Sequence, residues 1–199
     1  MLSAQQACSI VLGLCEGVTR DGKPERFAIQ SCELSAKGDY WVICCNSEDY
    51  VVHGKTEYCY VGVNAHLVDV TTGECETVAS CFSVEQYLQD KSDRQAAAGN
   101  SYVLCPAFSR EDKAAVINLR RKLSCSYPDS FVLLSSTGRH WLTGIRRYLE
   151  DAQRMLAGEG ITTTIELDPD PKGAIAIGPE AWHIDSVLKA VQKKLERDD

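Results

Sequence analysis

Hydrophobic and polar positions change period several times along the chain, and each change marks an element. Ala4, Ala7, Ile10, Val11 and Leu14 recur at helical spacing, so residues 3–14 are predicted as an opening amphipathic helix with Ser3 as N-cap. Gly17 and the polar run 19–24 close it as a loop. The period then shortens. Residues 26–34 alternate loosely through Phe27, Ile29, Cys32 and Leu34, and residues 40–45 are a dense run of β-formers. The turn at 35–39 makes the two a hairpin. Residues 48–52 are predicted to continue the second strand past Asn46 and Ser47. Two more strands, 61–70 and 75–81, flank Asp69-Val70-Thr71-Thr72-Gly73-Glu74, where Gly73 can adopt the positive φ a tight hairpin needs. Ser83, with Gln86 three positions on, opens a short helix through a capping box.

The second half has a different rhythm. Residues 102–105 read as a strand, 109–123 as a helix started by Ser109-x-x-Asp112, and 131–134 as a short buried strand. Residues 141–156 carry Leu142, Ile145, Leu149, Ala152 and Leu156 on one face and charges on the other, the strongest helical pattern in the chain. Residues 162–167 and 174–177 are predicted as a hairpin around the Pro-rich turn 168–173, and 181–195 as a closing helix. The expected fold is α+β. An N-terminal helix, antiparallel sheet and short helix make a domain over 1–92. A polar, Ala-rich linker covers 93–100. A second α/β domain of order βαβαββα fills 101–199.

Composition narrows the function classes. With 44% hydrophobic and 25% charged residues the chain is not disordered. No apolar run approaches the roughly 18–20 residues of a membrane span, and the N-terminus lacks a basic n-region. The expectation is therefore a soluble, cytoplasmic protein with no membrane partner. The ten cysteines show neither C-x-x-C nor zinc-finger spacing with histidine, and most sit in apolar runs, so they read as reduced core thiols. Charge is uneven. Residues 1–94 hold 14 acidic against 7 basic side chains, a balance of −7, and the remainder is neutral. An acidic module repels nucleic acid and suits a basic partner.

Candidate chemistry is sparse. Cys44, Cys45 and Cys59 could pair with His53 or His66, but an apolar strand in an acidic domain raises a thiol pKa. No catalytic residue, cofactor or metal is assigned, and the chain is expected not to be an enzyme. Ser136-Thr137-Gly138-Arg139, with His140, follows a predicted strand and precedes a predicted helix, the arrangement in which a helix N-terminus holds an anion. The richer clue is the crowding of Tyr and Trp into one acidic segment, since these residues bury large area at small entropic cost. Tyr40, Glu48, Asp49, Tyr50, Glu57 and Tyr58 are the expected partner-binding residues.

The order of these motifs resembles a known family. The opening helix is followed by Asp39-Tyr40-Trp41-Val42-Ile43 and Asn46-Ser47-Glu48-Asp49-Tyr50. Then come Val61-Gly62-Val63-Asn64-Ala65, Leu67-Val68-Asp69-x-x-Thr72-Gly73-Glu74 and Ser83-Val84-Glu85-Gln86-Tyr87-Leu88. Residues 4–91 are thereby similar to the immunity protein 35 family, also called the YrhB domain. That resemblance implies a bacterial immunity protein that binds and neutralises a cognate polymorphic toxin, and the acidic charge of residues 1–94 adds that such a toxin is basic. The alternatives are a chaperone-like stress protein, or a small-ligand or enzyme site in the second domain at Ser136, Arg139 and His140.

Overall fold

A computed structural model describes residues 1–196, and the chain divides between Leu88 and Gln89. The fold is mixed α+β, with an N-terminal helix followed by an antiparallel sheet. Helix α1 (Ala4–Leu14) starts at a reciprocal capping box between Ser3 and Gln6. The predicted loop after it holds a small antiparallel hairpin of β1 (Thr19–Arg20) and β2 (Lys23–Pro24). Asp21 and Gly22 turn it with positive φ at both positions. Strands β3 (Phe27–Leu34), β4 (Tyr40–Ser47), β5 (Val63–Asp69) and β6 (Cys75–Ala79) then pair in sequence as an antiparallel meander.

Alternation along β4 explains the layers of this unit. Ile43 packs with Ala7, Val11 and Val68 beneath α1. Tyr40 points the other way and packs with Leu67 and Val78, against Val84, Tyr87 and Leu88 of helix α3 (Val84–Ala97). The sheet is thus filled from both faces, as the near-continuous apolar run of β4 suits. Gly73 closes the β5–β6 turn at φ 75° while Asp69 Oδ1 accepts from the backbone N–H groups of Thr71 and Thr72. Residues 48–52 depart from expectation. They leave the strand for a short helix, α2 (Glu48–Val51), because Ser47 Oγ accepts from the Tyr50 N–H and Glu48 and Asp49 fill its first turn. A 3-10 turn, Thr56–Tyr58, follows.

His66 on β5 gives this unit a pH dependence. Burial lowers its pKa below the ordinary 6.5. On acidification the unfolded chain therefore takes up the proton first. Stability is complete above the unfolded value and falls as pH drops through the folded one. Urea midpoints should decrease between about pH 7.5 and about pH 5, and His66→Gln should flatten the decrease. An unchanged slope in that variant would remove His66 as the cause.

In the second unit a four-stranded sheet runs in the order β10-β8-β7-β9. Its strands are β7 (Ser101–Pro106), β8 (Leu142–Thr143), β9 (Thr163–Asp168) and β10 (Ile175–Ala176). Helices α4 (Lys113–Leu123), α5 (Tyr127–Leu133), α6 (Arg146–Gly158) and α7 (Ile184–Leu195) supply the remaining core with Leu104, Leu142 and Ile175. The observed order is βααβαββα, which corrects four expectations. The apolar run 131–134 is helical, because Ser126 and Asp129 cap each other reciprocally with Pro128 in the first turn. Residues 142–143 are a strand, so the amphipathic helix begins only at Arg146. The N-cap of α4 is Asp112, not Ser109. The strands around 168–173 do not form a hairpin: β9 pairs antiparallel with β7, and β10 pairs parallel with β8.

The segment read as a linker is also structured. Helix α3 continues through Ala97, and the turn at Ala98 and Gly99 carries positive φ. The low apolar content of 93–100 reflects a helix held by polar contacts. Asp90 and Asp93 are buried, and the Tyr102 hydroxyl donates to the Asp93 carbonyl at 2.8 Å.

Candidate functional site

The first candidate surface is assembled around the β1–β2 hairpin. The Arg20 guanidinium lies over the rings of Tyr58 and Tyr60, 4.8 and 4.7 Å from their centroids. It donates to the carbonyls of Glu57 and Tyr58 and, through Nε at 3.1 Å, to Glu25 Oε2. The Tyr60 hydroxyl donates to the same oxygen at 2.5 Å and helps raise the Arg20 pKa. Glu25 Oε1 is buried with no hydrogen-bond partner among the described residues. Glu25, Glu48, Asp49, His53 and Tyr58 share the lining of a groove of about 380 Å³. Lys55 donates to Asp49 at 2.8 Å and holds its carboxyl below the usual carboxylate range.

The expected partner-binding residues therefore separate into groups. Glu48, Asp49 and Tyr58 share the groove, and Glu57 is exposed on the turn beside it. Tyr50 is half-buried on α2. Tyr40 is not available, being 8% exposed on the face of β4 that meets Leu67 and Val78. Sequence reasoning missed Arg20 and Glu25, although Asp21-Gly22 is a readable hairpin signal. It also missed an exposed apolar ribbon. Val61, Val63 and Phe82 are 90%, 50% and 41% exposed. Ser80 N–H donates to the Gly62 carbonyl, and the Asn64 amide donates to the Phe82 carbonyl at 2.7 Å, so the two stretches lie side by side.

The second candidate lies on the sheet of the other unit. Segment 136–140 does not sit at a helix N-terminus, because it follows α5 and leads into β8. That corrects the anion-holding arrangement. The turn is closed instead by Ser135, whose Oγ accepts from Gly138 N–H at 2.9 Å. A side chain at Gly138 would meet the Val132 carbonyl at 1.9 Å, so only glycine fits. Ser136 is exposed and lines a broad groove with Arg139, Ser109, Arg110 and Thr164.

His140 lies elsewhere, among Cys105 and Glu166. One ligand atom from each lies within 4.8 Å of the others. His140 Nδ1 is 3.0 Å from Asp168 Oδ2, and Arg139 Nη2 is 2.7 Å from Glu166 Oε1. Cys105 is fully buried. Burial, followed by the Glu166 charge, pushes its thiol up to about 11.

Compared with protein-family models, with curated proteins and with solved structures, the chain matches none. No helix among the described residues is long and apolar enough to cross a membrane.

Four of the cysteines of the first unit line its core, and Cys81 is exposed. Cys8, Cys32, Cys45 and Cys75 pack around the α1–sheet core. Cys15 Sγ and Cys45 Sγ are 4.0 Å apart. Burial, with the neighbouring Cys15 second, pushes Cys45 up to about 12, so it carries little thiolate at neutral pH.

Proposed function

We propose that the chain is a non-enzymatic protein-binding protein whose first unit holds a basic partner. The observation that carries this reading is the exposed ribbon of Val61, Val63 and Phe82 on an acidic unit. Contiguous exposed apolar surface beside polar residues marks contact sites in folded proteins. Tyr58 and Tyr60, stiffened by Arg20, supply rigid aromatic area next to it. Glu48, Asp49 and Glu57 give the surroundings the charge that steers a basic surface. In its most specific form the partner is a bacterial toxin that the chain neutralises. That form rests on the resemblance of residues 4–91 to the immunity protein 35 family.

The test is capture from the native host with the intact chain, followed by binding kinetics on the recovered partner. Glu48→Lys, Asp49→Lys and Glu57→Lys together are expected to slow association and weaken binding about 10-fold at low salt, with a smaller effect at high salt. Val61→Asp is expected to speed dissociation. Recovery of no partner, or of one indifferent to both sets of changes, would sink the proposal.

A further inference from the structure

We propose that Cys105, His140 and Glu166 form a binding site for one divalent transition-metal ion of the zinc class. The three ligand atoms already lie within 4.8 Å of one another. Tetrahedral coordination at ordinary metal–sulfur and metal–nitrogen distances places ligand atoms roughly 3.3–3.8 Å apart. A shift of about an ångström therefore closes the site, and the partly exposed Glu166 side chain can supply it.

The backbone holds the ligands in register. Glu166 on β9 pairs with Val103 on β7, which puts it diagonal to Cys105 on the same sheet face. The Trp141 N–H donates to the Leu104 carbonyl at 2.9 Å, seating the residue after His140 against the neighbour of Cys105. Cys105 and Glu166 are thus carried on strands, which hold ligands more tightly than loops do, and His140 lies in the loop two residues before β8.

The donor chemistry selects the ion. Thiolate, imidazole and carboxylate together suit zinc and similar borderline ions, whereas calcium and magnesium prefer oxygen alone. Asp168 beside His140 Nδ1 is the outer carboxylate that orients a metal-ligating histidine. Arg139 donates to one oxygen of Glu166 and leaves the other for the metal. Its positive charge opposes the ion, so the site is tuned below the tightest zinc affinities. On binding, the Cys105 thiol proton passes to solvent as the metal–sulfur bond forms, and a water fills the fourth position.

The test uses the intact, reduced chain after chelator treatment. Zinc is titrated in competition with a fluorescent chelator, and cobalt is used to read thiolate coordination by its charge-transfer absorption. One ion per chain is expected, with cobalt–thiolate absorption that disappears in Cys105→Ser. His140→Ala and Glu166→Gln should weaken zinc by about 100-fold, Asp168→Asn by about 10–100-fold, and Arg139→Gln should tighten it. Glu166 is partly exposed, so Glu166→Gln keeps the test valid if Cys105→Ser fails to fold. Wild-type chain that takes up no zinc at micromolar concentration, or a site retained at full affinity in His140→Ala and Glu166→Gln, would overturn the proposal.

Discussion

Trp141→Ala is expected to cost the second unit about 3–5 kcal/mol, the range for deleting a large buried aromatic side chain. Trp141 is fully buried. Its ring meets Phe108 edge-on at 6.4 Å between centroids, and its indole N–H donates to the Leu133 carbonyl at 2.9 Å. Its backbone N–H donates to Leu104, and its carbonyl accepts from Ile175, so one residue links β7 to β10 through the strand it precedes. Alanine keeps those backbone bonds but leaves a cavity and an unpaired Leu133 carbonyl. Trp141→Phe should cost about 1–2 kcal/mol, because it retains most of the volume and loses the indole donor. Chemical unfolding followed by far-UV circular dichroism would measure both. If the two variants lost equal stability, the hydrogen bond and not the cavity would dominate, contrary to this account.

How much of this was legible in the sequence depends on how local each cause is. The β3–β4 hairpin and the Gly73 turn follow from alternation and one glycine, and both elements form where expected. Helix α6 follows from the face carried by Leu149, Ala152 and Leu156, although its start is displaced. Residues 131–134 misled because a short apolar run fits a strand or a helix equally well. The capping signal Ser126-x-x-Asp129 lay five residues upstream of Phe131 and decides the matter. Pairing of β10 with β8 rather than β9 has no local signature, since it is set by Trp141 and the core beneath it. The same holds for the proposed metal site. Cys105, His140 and Glu166 are far apart in sequence and meet only through the β7–β9 register and the seating of Trp141 against Leu104. A search by ligand spacing therefore finds nothing. On the first unit, alternation sets Tyr40 on the face of β4 opposite Ile43, and Tyr40 is buried there because Val84, Tyr87 and Leu88 cover that face as well, which no local pattern announces.

Asp90→Ala is expected to destabilise the second unit by about 2–3 kcal/mol, placing it between an exposed ion pair and a fully buried one. Both Asp90 oxygens accept from Arg147 Nε, at 3.0 and 3.1 Å, and the carboxylate side chain is only 10% exposed. Burial works against the Arg147 charge, and the hydrogen bonds and charges of Asp90 and Tyr148 together outweigh it, so the guanidinium pKa rises. Removing the carboxylate leaves that cation half-buried beside Tyr148 with its main counter-charge gone. The neighbouring contact of Arg146 with Asp93 at 3.7 Å is looser and cannot replace it. The pair ties α3, which continues past Asp90 to Ala97, to the first turn of α6. The prediction separates pairing from charge. Asp90→Leu combined with Arg147→Met should recover to within about 1 kcal/mol of the parent chain, because the cost lies in orphaning a buried charge rather than in losing an attraction. Hydrogen exchange should show residues 90–97 opening in Asp90→Ala and protected again in the double variant. Protection of that segment unchanged in Asp90→Ala would mean that another contact holds the helix.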